Sequence, residues 1–343
     1  MASHPTHPEH SMKNVLILGA RGRFASAALK AFVADGWQVT ALTRPGRQPQ
    51  PQAGVRWLAM DLQDSQSIAA AAGPIDLVVH GLSPRYTDAD WKQHALPMLE
   101  ASIGITAALG CALMLPGTVY NYGSQLTPQL TPEQDFQPDH YKAQVRVHME
   151  HALKVAVQKG QIRQAIVLRA GDFFGADSGT WLDQAIAKNL HGGVMQWPGP
   201  QDVATPWAYL PDLAATAVRV ANKRDQLPAF SRLHFAGHQQ TGADWAKVLQ
   251  AIAQQQGWLP QAQALTVKRL PWSILRVVGW FKPEVASLVK LNYLWRTPHA
   301  LNNRSLEALI GPEPHTPFPQ AVAQALQQAG LLTAQTGRAA IAA

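Results

Sequence analysis

The sequence predicts a doubly wound α/β fold: a parallel sheet with helices on both faces, carrying a smaller and mostly helical second lobe. Three observations lead there. Short apolar runs alternate with stretches of helical spacing through the first half of the chain, the pattern of a parallel sheet covered on both sides. The first of these runs ends in a glycine-rich turn that opens a helix. After Gly175 the alternation stops, and Trp- and Pro-rich helical segments take over. The 343 residues, 47% apolar and 15% charged, can bury a sizeable core, and 25 Pro, 25 Gly and 11 Trp exclude a coiled coil or a largely disordered chain.

Asn14–Leu18 is an apolar run stopped by Gly19 and reads as the first buried strand. Gly22 to Ala34 has helical spacing, with Phe24, Ala28, Leu29, Phe32 and Val33 on its apolar face. Asp35 and Gly36 end that helix, and Trp37–Leu42 is the second strand. Val55–Ala59, Ile75–Val79, Ala112–Leu115 and Ile166–Arg169 are the third to sixth strands. Helices are expected between them over Ser65–Ala72, Asp88–Leu109 and His140–Val157. Right-handed crossovers follow for such parallel units. Farther on, Trp181–Asn189 and Pro211–Ala221 read as helices and Arg232–Phe235 as a short strand. The sheet domain is therefore assigned to residues 12–175, rejoined by 209–237, and the smaller lobe to 176–208 and 238–335.

Residues 1–11, with His4, His7 and His10 among prolines, contain neither an apolar stretch nor a basic amphipathic helix, which predicts a disordered tail rather than a signal peptide. Pro271–Phe281 is apolar but only 11 residues long, against the roughly 20 a membrane span needs. A core or interface helix is expected there, and no membrane. Lys plus Arg number 29 against 22 Asp plus Glu, a net +7 spread along the chain without a basic tract. That reads as a solvated basic surface and argues against nucleic acid or anionic lipid as partner, while leaving a phosphorylated ligand open. Cys111 is the only cysteine, which excludes an internal disulfide and a cysteine zinc site and suits the cytoplasm. His80 and His94 lack ligand spacing, and no metal is expected.

The sharpest motif is Gly19-Ala20-Arg21-Gly22-Arg23-Phe24-Ala25. It follows a strand and opens a helix, the context in which Gly19 permits a tight turn and Gly22 lets backbone amides approach a pyrophosphate. The helix dipole then favours the anion, and Ala25 permits close helix–strand packing. At the end of the second strand, where a carboxylate would bind the 2′-hydroxyl of NAD, the chain reads Leu42-Thr43-Arg44-Pro45-Gly46-Arg47. Arg44, assisted by Arg21 or Arg47, can pair with a 2′-phosphate, so NADP is expected ahead of NAD.

These residues resemble the extended or atypical branch of the short-chain dehydrogenase/reductase superfamily, related to sugar-nucleotide epimerases and dehydratases. The resemblance covers the sheet domain throughout and the second lobe loosely, and implies a Rossmann-type fold. It implies that Asp61 and Leu62 meet the adenine, and that His80, Gly81 and Leu82 lie beside its ribose and the pyrophosphate. It also implies that the segment Leu168 to Gly175, including Gly171 and Phe173, meets the nicotinamide amide. Trp207 to Asp212 resembles a later segment in which an Asp opens a helix, so Asp212 is expected as a cap.

Family catalysis uses a Ser or Thr after the fifth strand and a Tyr-x-x-x-Lys pair on the next helix, where the Lys lowers the Tyr pKa and binds the nicotinamide ribose. Tyr122-Gly123 matches the end of the fifth-strand segment and places Thr118 at the hydroxyl position. None of the six tyrosines has Lys four places on. With Glu150 as guide, Arg146 falls in the Lys place and Lys142 in the Tyr place, with Tyr141 one residue off. One residue is about 100° of helix rotation, so Tyr141 and Arg146 do not share a face. Arg146 can bind the ribose but not titrate. Thr118, Tyr141, Lys142 and Arg146 are the catalytic candidates; Tyr120 and Tyr122 lie where a substrate should enter.

Trp197 to Pro200 and Trp207 read equally as substrate wall or core, while Asp172 and Asp177 can face the cleft but read rather as caps or solvated residues. The expected function is an NADP-dependent oxidoreductase or epimerase/dehydratase-like enzyme acting on a carbonyl or hydroxyl of a small or nucleotide-linked substrate. The alternative is a catalytically degenerate NADP-binding sensor. A small-molecule substrate is the expected partner, and a homodimer is allowed.

Overall fold

The computed structural model describes residues 12–47, 51–177 and 179–332; the predicted tail and the last residues assigned to the lobe lie outside them. The strands are β1 (Asn14–Leu18), β2 (Gln38–Thr43), β3 (Val55–Ala59), β4 (Leu77–His80), β5 (Ala112–Thr118), β6 (Gln129–Leu130), β7 (Gln164–Ala170), β8 (Asp172–Phe174), β9 (Val194–Trp197), β10 (Thr205–Tyr209), β11 (Phe230–His234), β12 (His238–Gln240), β13 (Thr266–Arg269) and β14 (Ala300–Leu301). The helices are α1 (Arg23–Ala34), α2 (Ser65–Ala72), α3 (Asp88–Leu109), α4 (Tyr141–Gln158), α5 (Leu210–Asn222), α6 (Gly242–Gln255), α7 (Trp272–Gly279), α8 (Pro283–Val289), α9 (Arg304–Ile310) and α10 (Phe318–Gln328).

Seven strands form one parallel sheet in the order β11-β7-β5-β4-β1-β2-β3. The strands are almost wholly apolar because both faces are covered. Alternate residues of β1 serve different layers: Val15 and Ile17 join the core shared with α1 and α5, and Leu16 and Leu18 join the core shared with α3 and α4. The chain order reverses between β1 and β4, which opens a crevice at their carboxyl ends. All predicted sheet strands occur, with bounds shifted by up to three residues.

The second lobe has its own core, in which Trp197, Trp207, Trp245, Phe174 and Tyr209 are buried together with Phe318 from α10. Three short sheets pair β12-β10-β8, β13-β9 and β14-β6. Trp197 and Trp207 are thus core rather than pocket wall.

Three expectations are corrected here. Trp181–Asn189 is not a regular α-helix: it makes a π-helical turn over Leu182–Ile186, closed by Ala187 N–H on Leu182 O at 2.7 Å, then a 3₁₀ turn over Leu190–Gly192. The Asp183 carboxylate takes the Gly179 and Thr180 amides at its start. Asp212 lies inside the first turn of α5, with Tyr209 at the cap position, and its carboxylate accepts instead from Thr316 N–H and Oγ at 2.7 and 2.8 Å. Within Pro271–Phe281, α7 buries no residue, so it is not a core helix.

Candidate cofactor and active site

Where β1 ends, Gly19 turns with φ +68° and Gly22 N–H closes on Gly19 O at 2.8 Å before α1 begins. A Cβ on Gly19 would sit 2.8 Å from Gly81 O, one on Gly22 3.0 Å from the same atom, and one on Gly81 2.4 Å from Ala25 Cβ. Three glycines and Ala25 therefore form one interlocked unit, and the spacing read from the sequence is the spacing this packing needs. The first turn of α1 carries no side-chain cap and no acidic residue. Its amides and its dipole are left for an anion, so the cradle fits a dinucleotide pyrophosphate.

Arg44 and Arg47 are exposed beyond β2, and no carboxylate lies between Thr43 and Arg47. Arg21 is exposed on the turn; Arg23 is exposed too and extends toward Gly179. Phe24 is buried under α1 and contributes only its backbone to the turn. Exposed Asp61 accepts from Gln63 N–H, and half-buried Leu62 and Leu82 pack on the α3-side core. The His80 ring points away from the crevice: it is buried, with Nδ1 2.8 Å from Ser102 Oγ, and desolvation together with nearby Arg146 pushes its pKa down to about 3. Only the backbone of His80 faces the cradle, where it leads into Gly81. Gly171 fits closely beneath β10, since a Cβ there would overlap Pro206 O, and Phe173 packs on the α1-side core.

At the other end of the crevice β5 delivers Thr118, whose buried Oγ1 has no hydrogen-bond partner. Its carbonyl is held by Arg169, which donates to Glu150 at 2.6 Å; Asn121 donates to the same Glu150 oxygen at 2.9 Å. Arg169 and Glu150 are wholly buried, so Glu150 braces β5 and β7 against α4. The following 3₁₀ turn, Val119–Tyr122, separates two phenols. Tyr122 turns inward, donating to Thr131 O at 2.8 Å with His234 Nε2 at 2.9 Å, and it does not line the crevice. The Tyr120 hydroxyl lies 3.0 Å from that of Tyr86, which the sequence had not singled out as a candidate.

On α4, Lys142 is buried with Nζ 2.6 Å from Asp88 Oδ1 and 4.7 Å from the Tyr86 ring centre. Burial pushes the Lys142 ammonium down while Asp88 holds it up. Burial opposes ionisation of Asp88 as well, but hydrogen bonds from Lys142, Lys290 and Ser287 win and bring it to about 2. Arg146 donates to Pro116 O at 3.1 Å and stacks 4.9 Å from the Trp91 ring centre. Tyr141 packs on the α3-side core and its hydroxyl meets no partner among the described residues.

Asp172 at the start of β8, which the sequence allowed to face the cleft but ranked as a cap or solvated residue, belongs to this group. Its Oδ2 accepts from Trp295 Nε1 at 2.7 Å, and burial pushes its carboxyl up to about 7 against that hydrogen bond. It is half-buried and not a cap: its charge would also raise Tyr86, Tyr120 and Tyr293, and burial holds Tyr120 at about 12. The only sequence signal was its place two residues beyond β7. Tyr293 joins the group through His140 Nε2 at 3.1 Å. Beside it, Trp272 stacks on Trp295, and a cavity of about 300 Å³ is lined by Pro198, Pro200, Arg269, Trp272 and Arg296. Among the described residues no three His, Cys, Asp or Glu side chains converge as a metal site.

The model of the NAD dependent epimerase/dehydratase family matches residues 15–233. A search of curated protein sequences finds no match. Among solved structures the chain is similar to a UDP-galactose 4-epimerase, with TM-score 0.68 and 13% identity over 92% of this chain and 98% of that one. It is similar to the Bordetella bronchiseptica enzyme WbmH in complex with NAD+, with TM-score 0.66 and 16% identity over 93% and 98%. UDP-glucose 4-epimerase with UDP-glucose from Thermotoga maritima gives TM-score 0.66 and 15% identity over 92% and 98%. Identities this low carry the fold and not the substrate.

Proposed function

The chain belongs to the NAD dependent epimerase/dehydratase family, and from that premise we propose an NADP-preferring oxidoreductase or epimerase/dehydratase-like enzyme. Its substrate is a small or nucleotide-linked compound with a reacting carbonyl or hydroxyl, and its setting the cytoplasm. One observation carries this reading: the interlocked cradle of Gly19, Gly22 and Gly81 follows β1, and beyond the neighbouring β2 stands Arg44, with no carboxylate where a 2′-hydroxyl would be bound. The NAD+ of the WbmH complex and the UDP-glucose of the Thermotoga epimerase support a nicotinamide dinucleotide and a nucleotide-linked substrate. Arg44 supports NADP, because guanidinium pairs bidentately with phosphate.

When bound, the cofactor supplies hydride transfer. The chain's residues bind, orient and move the proton. The unpartnered Thr118 hydroxyl bonds the substrate oxygen, and Asp172, poised near neutrality, gives or takes that oxygen's proton. Tyr120 stays protonated and donates. Arg146 holds a fixed positive charge beside β5, while Lys142 is committed to Asp88. Arg269 and Arg296 beside the cavity suit an anionic group on the substrate.

A second reading, an NADP-binding sensor, draws on the commitment of Lys142, which leaves α4 without the family's titrating pair. NADPH oxidation against a panel of aldehydes, ketones and nucleotide sugars separates the two. Turnover that Thr118→Ala abolishes is expected; saturable NADP binding with no turnover across the panel would favour the sensor.

A further inference from the structure

The hairpin of α7 and α8 projects an apolar surface that the site does not use. Ile274, Val277, Trp280 and Phe281 are 60%, 50%, 77% and 81% exposed, and the one other large apolar side chain this exposed among the described residues is Met12. Ile274, Val277 and Phe281 follow the spacing of one helical face, with Trp280 at the turn beside them. Monomeric proteins rarely leave such a cluster in water unless it meets a partner.

The charge around the cluster says which partner. Residues 266–296 hold six basic side chains, Lys268, Arg269, Arg276, Lys282, Lys290 and Arg296, all exposed, against the single acid Glu284. Lys290 pairs with Asp88; the other five have no salt bridge among the described residues. The hairpin is also fixed in place: Ser287 Oγ and Lys290 Nζ donate to Asp88 at 2.9 and 2.7 Å, and Trp272 Nε1 donates to Pro198 O at 2.7 Å. It is therefore a preformed tip with aromatic and aliphatic side chains at its end and free cations behind them.

We propose that this hairpin docks the protein on an anionic lipid bilayer, with Ile274, Val277, Trp280 and Phe281 entering the boundary between headgroups and acyl chains and Lys268, Arg276 and Lys282 meeting lipid phosphates. Trp and Phe suit that boundary, and neither an apolar tip nor a basic patch alone anchors a protein stably. Anionic lipid attracts clustered Lys and Arg within a Debye length of its surface. A second copy of the chain would instead bring two basic hairpins together. No helix among the described residues is long and apolar enough to cross a membrane, so the contact is peripheral.

The test is co-sedimentation of the full chain with vesicles of phosphatidylcholine alone or of equimolar phosphatidylcholine and phosphatidylglycerol. Binding to the anionic vesicles only, weakening with added salt, is expected. The double variant Trp280→Ser/Phe281→Ser should weaken it about tenfold or more, and Arg276→Glu/Lys282→Glu should remove the preference for anionic lipid. Dinucleotide titration of both variants checks that the fold is kept. The proposal is overturned if wild type ignores anionic vesicles or if the variants bind them as wild type does. It is equally overturned if the serine variant changes only dimerisation, which assigns the tip to a second copy, or only the KM for substrate, which makes it a lid.

Discussion

At the Gly19 turn the groups that face the ligand are backbone amides, held by contacts between Gly19, Gly22, Ala25 and Gly81. Around Thr118 the polar groups are side chains from separate stretches: Tyr86 before α3 bonded to Tyr120 after β5, Arg146 on α4, and Asp172 on β8, with Lys142 and Trp295 buried behind them. A backbone site depends on packing distances and accepts almost any side chain that points away from it. A side-chain site depends on which residue types converge, so it can be rewired while the fold stands. In the register that the resemblance implies, the Tyr place on α4 falls on Lys142, whose ammonium pairs with Asp88 and lies over the Tyr86 ring.

The sharpest way to break this comparison is at the backbone end. Gly81→Val would drive Cβ to 2.4 Å from Ala25 Cβ and 2.7 Å from Leu18 O, neither of which can swing aside. It should cost about 3 kcal/mol of stability or more and abolish dinucleotide binding, read by denaturant unfolding and titration. A variant that kept both would show the glycines are not interlocked.

At the side-chain end, Asp172→Asn should leave the fold intact, since an amide oxygen can still accept from Trp295, while turnover falls about a hundredfold. In the reducing direction the protonated carboxyl is the active form. The wild-type rate should therefore fall as pH rises through about 7, and the variant should lose that limb. An unchanged profile would move the proton to another group.

Stability against pH probes the buried histidines shared between the sheet and the second lobe. His80 and His234 are held down to about 3 and His238 and His299 to about 4, all chiefly by burial. Their unfolded pKa lies near 6.5, so the stability they contribute is present above that pH and is lost as pH falls toward their folded values. Denaturant unfolding at successive pH values should show stability dropping by about 1 kcal/mol per pH unit for each such histidine below pH ~6. A flat profile would mean that these rings are protonated in the fold.

The same division explains what could be read in advance. Gly19 to Ala25 and the order of strands and helices are local patterns, set by turn geometry and by the period of apolar residues, and they stand in the sequence as contiguous text. Lys142 and Arg146 could be placed in the family register, but not the choice of Asp88 as partner, which lies 54 residues away. Asp172 looked like a cap because burial and the Trp295 indole, 123 residues on, leave no trace in its neighbours. Tyr122 and His80 turned inward for the same reason: Thr131, His234 and Ser102 offer partners that only the fold brings near. Trp181–Asn189 had helical spacing, but it folds as a π turn followed by a 3₁₀ turn, a change of hydrogen-bond register that apolar spacing does not encode.

The most direct measurement is calorimetric titration of wild type and Arg44→Ala with NADP and with NAD. The account predicts saturable binding of both to wild type with NADP tighter, and a loss of about tenfold or more in the variant for NADP alone. Equal losses for the two dinucleotides, tighter binding of NAD, or no saturable binding of either would contradict it.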